Sequence, residues 1–89
     1  MITVTERAKE ELVNLLVRNV DWPGARLRLL DRGKGRLGLG IDIQHANDRI
    51  IEHDGAALLL VDERLAANIN QVTLDVDDGP NGAEIVICE

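Results

Sequence analysis

Few residues in this 89-residue sequence could do chemistry, and their spacing does not form a catalytic set. There is no serine, and the single cysteine, Cys88, lies one residue before the last. A nucleophile paired with a base needs a hydroxyl or thiol beside a histidine or carboxylate, so neither type of pair is indicated. We therefore predict no catalytic residue, and we expect that the chain is not an enzyme.

The two histidines are the remaining candidates for a metal site. His45 and His53 have acidic neighbours in the sequence at Asp48, Glu52 and Asp54. Two histidines without the fixed spacing of a helix or a hairpin are weak support for a metal site. His45 also continues the apolar face of a predicted strand, and we expect it to be a hydrogen-bonded residue at the edge of the core. No metal ligand is predicted.

A glycine-rich segment from Asp31 to Gly38 is the most informative stretch of the chain. Its glycines match the G-x-G-x-x-G pattern of dinucleotide sites, but that function requires a helix after the segment. The alternation from Leu37 to Ile43 predicts a strand instead, so we predict a loop between two strands and no bound cofactor. Lys34 and Arg36 place two cations in this loop of an acidic chain. They form the candidate interaction loop for an acidic partner or an anion.

Composition excludes several classes of function. Sixteen acidic and ten basic residues give a net charge of -6, which is opposite in sign to a surface that binds nucleic-acid phosphates. Trp22 is the only aromatic residue, so bases have no platform for stacking, and we expect Trp22 to cover a helix end. One cysteine cannot form an internal disulfide, and no apolar run reaches the roughly 18 residues of a membrane span. We expect a single cytoplasmic domain over residues 1–89 that contacts neither nucleic acid nor membrane.

The hydrophobic pattern predicts two helices. Thr5 is expected to cap the first helix, which begins at Glu6, ends between Asn19 and Gly24, and buries one apolar stripe. That stripe consists of Ala8, Leu12, Leu15 and Leu16. Asp62 is expected to cap a short second helix that ends near Asn70.

The remaining segments read as strands, which makes the predicted fold class α+β and mostly β. Short β-prone or alternating apolar runs occupy residues 1–4, 25–30, 37–45, 49–53, 56–61, 71–76 and 83–88. Asp54-Gly55 is a strong signal for a hairpin turn. The carboxylates from Asp75 to Gly79 do not alternate as a calcium loop requires, so we predict a solvated turn over residues 77–82 between the last two strands.

The order of these local motifs resembles the HesB-like family, the A-type iron-sulfur cluster carriers. The shared motifs are the I-T-V-T opening with its capped helix at 2–17, L-R-L at 27–29, Gly35-x-x-Gly38, E-x-D-G at 52–55, Val61-Asp62 and Leu74-Asp75. The resemblance implies a compact mixed-sheet β pseudobarrel or sandwich with an N-terminal helix and one short helix. It also implies protein partners in cluster assembly and a homo-oligomer, for which the terminal strand 83–88 offers an apolar edge.

The metal ligands of that family are missing here. The resemblance implies three cysteines, one in the glycine-rich loop and two in a C-terminal C-G-C, but Arg36 occupies the loop position and the sequence contains no C-G-C. A guanidinium cannot replace a thiolate as a ligand to iron. We therefore expect a degenerate, non-catalytic accessory or binding protein that carries no cluster. The alternative is a small-ligand or metal-binding protein that uses the glycine-rich loop and the histidines.

Overall fold

The computed structural model describes residues 2–19, 24–33, 36–69 and 71–88. Within these ranges the chain forms two helices and seven strands. Their order is β1 Ile2–Val4, α1 Glu6–Asn19, β2 Ala25–Gly33, β3 Arg36–Ile43, β4 Arg49–His53, β5 Ala56–Val61, α2 Glu63–Asn68, β6 Val72–Gly79 and β7 Gly82–Cys88.

The strands form two mixed sheets. One sheet has the order β1-β6-β7 and the other has the order β3-β2-β5-β4. The pairs β1–β6 and β2–β5 are parallel, and the pairs β2–β3, β4–β5 and β6–β7 are antiparallel. This is the mostly β α+β class that the sequence pattern predicts, with the mixed sheets that the family resemblance implies. In the described part of the chain, neither helix is long and apolar enough to cross a membrane.

Helix α1 begins as its cap residue predicts. The Thr5 hydroxyl accepts a hydrogen bond from the Ala8 backbone N–H at 3.1 Å, which satisfies one of the free amides of the first turn. The Thr5 backbone N–H donates to the Leu74 carbonyl at 3.1 Å and ties the start of α1 to β6. Ala8 and Leu12 are fully buried, and Leu15 and Leu16 pack against the core, so the predicted stripe is confirmed.

The core lies between the two sheets and α1, and it is aliphatic. Its buried side chains include Leu27 and Leu29 of β2, Leu59 and Val61 of β5, and Val72 and Leu74 of β6. Because side chains alternate along a strand, the other face of β2 carries Arg26, Arg28, Leu30 and Arg32. We call the core-facing side of the four-stranded sheet its inner face and the opposite side its outer face.

The predicted glycine-rich loop is shorter than the sequence indicates. Strand β2 continues to Gly33 and β3 starts at Arg36, so Asp31 pairs with Leu37 and Gly33 pairs with Arg36. A register shift between Asp31 and Gly33 absorbs the irregular spacing, and Gly33 has a φ of 86°, a conformation that glycine adopts without a Cβ clash. The prediction of a loop over 31–38 is therefore wrong in extent, because backbone pairing continues through polar residues.

The two other predicted hairpin turns, between β4 and β5 and between β6 and β7, are both present in the structure. Asp54 and Gly55 join β4 to β5 with φ values of 52° and 81°, as predicted. In the last hairpin β6 extends to Gly79 and β7 begins at Gly82, so the predicted turn over 77–82 is wrong in extent.

Helix α2 is capped as predicted, since Asp62 accepts from the Arg64 backbone N–H at 2.9 Å, and it ends at Asn68. The prediction for Trp22 lies outside the described residues.

The connection from β3 to β4 crosses the outer face of the four-stranded sheet. Strand β3 ends at Ile43, which pairs with Ala25, whereas β4 begins at Arg49, opposite Val61 and level with Leu29. Residues 44–48 must therefore return along the sheet while passing over β2 and β5. This crossing connection covers Arg28, which faces outward from β2.

Candidate functional site

The end of the β2–β3 hairpin concentrates positive charge on an acidic chain. Arg32, Lys34 and Arg36 fall within five residues, and we call this segment the hairpin end. Arg32 and Arg36 are exposed, while Lys34 lies outside the described residues. Arg36 is paired through its backbone with Gly33, and its side chain forms no ion pair with any residue that the structure describes. The hairpin end therefore retains uncompensated positive charge.

Glycines on β3 let larger side chains of β2 lie flat on the outer face. A Cβ at Gly38 would meet the Arg32 guanidinium, and a Cβ at Gly40 would lie 2.6 Å from Leu30 Cδ1. In the space above Gly38, Arg32 Nη2 donates a long 3.4 Å hydrogen bond to the Leu39 carbonyl. The side chain of Arg32 thus runs across β3 and keeps its charge near the hairpin end.

The acidic residue nearest the hairpin end is engaged locally. Asp31 Oδ1 accepts a hydrogen bond from the Gly33 backbone N–H at 2.8 Å. This bond stabilises the bend at the register shift. Asp31 forms no ion pair with Arg32 or Arg36 in the described structure.

A buried arginine that the sequence analysis did not identify lies in the middle of the outer face. Arg28 is 6% exposed and makes two hydrogen bonds to the Asp48 carboxylate, at 3.0 and 2.7 Å. It also donates to the Ile43 carbonyl at 3.0 Å, and its Nε lies 2.9 Å from Asp42 Oδ2 without the alignment of a hydrogen bond. Arginine is almost never buried without such partners. Its position between Leu27 and Leu29 in a predicted strand was therefore the feature of the sequence that could have indicated a buried, paired arginine.

Arg28 and Asp48 stabilise each other's charged form, and their role is structural. The hydrogen bonds from Arg28 hold the pKa of Asp48 below its usual value, and the bond to Asp48 raises the pKa of Arg28. Asp48 Oδ2 also accepts from the His45 backbone N–H at 2.7 Å. Because Asp48 belongs to the crossing connection and Arg28 to β2, the pair fixes that connection on the sheet. Arg28 is therefore occupied and cannot serve as a free anion site.

The structure does not bring the histidines to the hairpin end. His45 lies in the turn after β3, where its side chain is 53% exposed and its Nε2 is 3.6 Å from Asp42 Oδ2. The prediction of a histidine at the edge of the core is wrong, because β3 ends at Ile43 and the chain turns away. The eight residues of β3, about 26 Å at ~3.3 Å per residue, separate His45 from the hairpin end.

His53 ends β4 on the opposite edge of the sheet, 3.4 Å from Asp54. Among the described residues, the imidazole of each histidine faces one carboxylate within ion-pair distance, and the two histidines belong to different parts of the fold. Among the residues described, no group of three or more histidine, cysteine or acidic side chains could hold a metal ion. The alternative site made of the loop and the histidines is not assembled.

The carboxylates near the end of β6 are held by the start of α1. Asp75 accepts from the Thr5 hydroxyl at 2.9 Å, and Asp78 accepts two hydrogen bonds from Arg7, at 2.8 and 2.9 Å. The bond from the Val76 backbone N–H, followed by that from Thr5, lowers the pKa of Asp75, and the bonds from Arg7 lower that of Asp78. Asp78 was predicted in the solvated turn, but it lies on β6 with Asp75, and both residues tie the last hairpin to α1.

The single cysteine lies on the other sheet. Cys88 is exposed at the end of β7, where it pairs with Thr73 of β6. The hairpin end belongs to the four-stranded sheet, which β7 does not join. The structure therefore places the only thiol and the hairpin end on different sheets.

Two solved structures resemble this chain over almost its whole length. Escherichia coli SufA, which is involved in biosynthesis of iron-sulfur clusters, matches with a TM-score of 0.64 and 22% identity, over 98% of this chain and 78% of SufA. IscA with the [2Fe-2S] cluster matches with a TM-score of 0.66 and 16% identity, over 99% of this chain and 84% of IscA. No protein-family model and no curated protein matches the sequence. The chain has the fold of these two proteins, the HesB-like fold that the motif resemblance implied.

Proposed function

We propose that this chain is a non-catalytic accessory or binding protein on a HesB-like scaffold, which acts in the cytoplasm and carries no iron-sulfur cluster. It contacts an acidic protein partner, of the kind that takes part in cluster assembly, through the hairpin end. One observation carries the proposal: Arg36 is exposed and unpaired among the described residues, at the position where the family resemblance implies a thiolate.

The small number of cysteine ligands supports the proposal that the chain carries no cluster. Iron in such clusters is held by thiolates, and this sequence has one cysteine. Cys88 lies on a different sheet from the hairpin end, so the two regions do not form a common ligand set within one chain. The cation at Arg36 repels a metal ion where a thiolate would bind one.

The charge distribution supports an acidic partner. The net charge of -6 repels anionic surfaces at long range, so attraction depends on the local charge of the hairpin end. Screening limits that attraction to roughly 8 Å at physiological salt, which favours a partner segment that reaches the hairpin end directly. The guanidinium group of Arg36 can bind a carboxylate through two hydrogen bonds, whereas Lys34 offers a point charge.

A matched pair of double variants tests this contact. An acidic hexaglutamate peptide is titrated into isotopically labelled protein, and backbone amide shifts are followed in the wild type, in Lys34→Glu with Arg36→Glu, and in Arg49→Glu with Arg64→Glu. The control arginines are also exposed and form no side-chain ion pair among the described residues. Equal thermal melts confirm that all three proteins fold.

We expect shifts centred on residues 31–38, which shrink as salt is added. Each exposed charge contributes on the order of 0.5 to 1 kcal/mol, so the hairpin double reversal should weaken binding by about tenfold or more. The control double reversal should change the affinity by less than about twofold. Equal losses in both double variants, or shifts that avoid residues 31–38, would contradict the proposal.

A further inference from the structure

Strand β3 is an exposed edge with apolar side chains on it. The four-stranded sheet has β3 and β4 at its edges, and the three-stranded sheet has β1 and β7. Ile41 and Ile43 of β3 are 40% and 49% exposed. A free strand edge presents backbone N–H and C=O groups to solvent, and such an edge pairs readily with another strand.

The sequence of β3 is complementary to itself when reversed. It reads Arg-Leu-Gly-Leu-Gly-Ile-Asp from Arg36 to Asp42. We propose that β3 pairs antiparallel with β3 of a second copy, about a two-fold axis at Leu39. In this register Arg36 of each copy faces Asp42 of the other, and the two four-stranded sheets join into one.

Both faces of the joined sheet have matching residues. Directly opposed residues in antiparallel strands share a face, so Leu37 lies against Ile41 of the second copy, and the two Leu39 side chains meet at the axis, all on the inner face. Gly38 lies against Gly40 of the second copy on the outer face. Apolar side chains thus meet on the inner face, and on the outer face the glycines meet beneath the Arg32 and Leu30 side chains that cross them.

Arg36 and Asp42 can each form an additional ion pair with the second copy. Arg36 has no ion pair among the residues described, and Asp42 is 37% exposed on its side chain. Asp42 Oδ2 lies 2.9 Å from Arg28 Nε and 3.6 Å from His45 Nε2, and Oδ1 accepts from the Ile43 backbone N–H at 2.7 Å. A carboxylate has about four acceptor positions, so Arg36 of the second copy adds to these contacts without replacing them.

The inner face beside β3 has room for side chains of a second copy. An open cavity of ≈ 320 Å³ is lined by Leu15, Leu27, Leu39, Gly40 and Ile41. The pairing places Leu37 and Ile41 of the second copy next to it. Burial of this apolar surface provides the main attraction, and the charged pairs fix the register.

The other long edge strands lack this complementarity. In β7, Glu84 is the only charged residue from Gly82 to Cys88, so an antiparallel copy places no cation opposite it. In β4, reversal about Ile51 places Arg49 against His53 and Ile50 against Glu52, which matches neither charge nor polarity. The second copy is therefore expected at β3 and not at the terminal strand 83–88 that the sequence pattern favoured.

Two pairs of matched variants test the register in solution. Sedimentation velocity over a range of concentrations gives the dimer dissociation constant. Ile41→Lys puts a charge on the inner face of β3, and Ile50→Lys puts one on the outer face of β4, where Ile50 is 38% exposed. Arg36→Glu creates two like-charge pairs across the proposed axis, and Arg49→Glu is its control. We expect each β3 variant to raise the dissociation constant by about tenfold or more, with each β4 variant within about twofold of wild type.

A cross-link locates the axis independently of the charges. In a Cys88→Ser background, Leu39→Cys should form a disulfide-linked dimer under mild oxidation, because the two positions face each other. Ile50→Cys in the same background should remain monomeric on a denaturing gel. Since the proposed acidic-partner contact also uses Arg36, Ile41→Lys separates the two ideas: it should weaken the dimer and leave hexaglutamate binding unchanged.

Three results would overturn the inference. A chain that stays monomeric at all concentrations has no such interface. Equal weakening by the β3 and β4 variants would exclude β3 as the specific edge. A native dimer linked through Cys88, without linkage through Leu39→Cys, would place the contact at β7.

Discussion

Replacement of Arg28 by methionine should destabilise the protein far more than replacement of any exposed arginine. Arg28→Met keeps the length and apolar stem of the side chain but removes the guanidinium. The variant loses two hydrogen bonds to Asp48 and one to the Ile43 carbonyl. It also leaves the Asp48 side chain, which is 2% exposed, as a buried carboxylate without its cation.

The magnitude follows from that uncompensated charge. Removing one partner of a buried ion pair costs about 3 to 5 kcal/mol. Asp48 would still accept from the His45 backbone N–H at 2.7 Å, so we expect the lower end, about 3 kcal/mol. For a domain of this size, each kcal/mol lowers the melting temperature by about 4 to 8 °C, so the melting temperature should fall by roughly 12 to 24 °C.

Urea denaturation and thermal melts followed by circular dichroism measure this effect. Arg7→Met is the control, because Arg7 also makes two hydrogen bonds to one carboxylate, but Arg7 and Asp78 are 58% and 66% exposed. It should change the free energy of unfolding little, since exposed pairs are well solvated. Adding Asp48→Asn to Arg28→Met removes the buried charge and should restore about half of the loss or more. Equal effects of Arg28→Met and Arg7→Met, or no rescue by Asp48→Asn, would show that the buried charge of Asp48 is not the cause of the destabilisation.

Three further outcomes are expected. Because the pKa of Asp48 is lowered in the folded state, its stabilising contribution is present above the unfolded pKa of about 3.9 and is lost as pH falls through the folded pKa. The difference in unfolding free energy between wild type and Asp48→Asn should therefore shrink from pH 7 to strongly acidic pH, and a constant difference would contradict this. Gly33→Ala should cost about 1 kcal/mol because of its φ of 86°, whereas Gly79→Ala, whose Cβ would make only ordinary contact, should cost little in the same urea titration. Thr5→Val should cost about 1 kcal/mol through loss of the helix cap, and Thr5→Ser should retain most of that stability; equal melting temperatures for the two would argue against the cap.

Local features of the fold could be predicted from the sequence because their signals lie within a few residues. Thr5 and Asp62 cap helices through bonds to the first turn, and Asp54-Gly55 makes a turn from its own backbone preference. Strand ends were predicted less well. The pairing of Asp31 with Leu37 is made by backbone groups. Polar side chains do not prevent such pairing, and their pattern in the sequence does not predict it.

Features that join distant segments could not be placed from the sequence. Arg28 and Asp48 are twenty residues apart, and nothing local indicates that the connection from β3 to β4 crosses the sheet. The exposed position of His45 follows from that crossing, which turns the chain away from the line of β3. The hairpin end was predictable as a cluster of cations, because Arg32, Lys34 and Arg36 are close in the sequence.

Anaerobic reconstitution tests directly whether this HesB-like scaffold carries a cluster. The purified chain is incubated with iron, sulfide and a thiol reductant and then passed over a gel-filtration column. We expect a colourless protein without the charge-transfer absorption of thiolate-bound iron, and with iron and sulfide at background level. Stoichiometric iron and sulfide that co-elute with the protein and are lost in Cys88→Ser would contradict it.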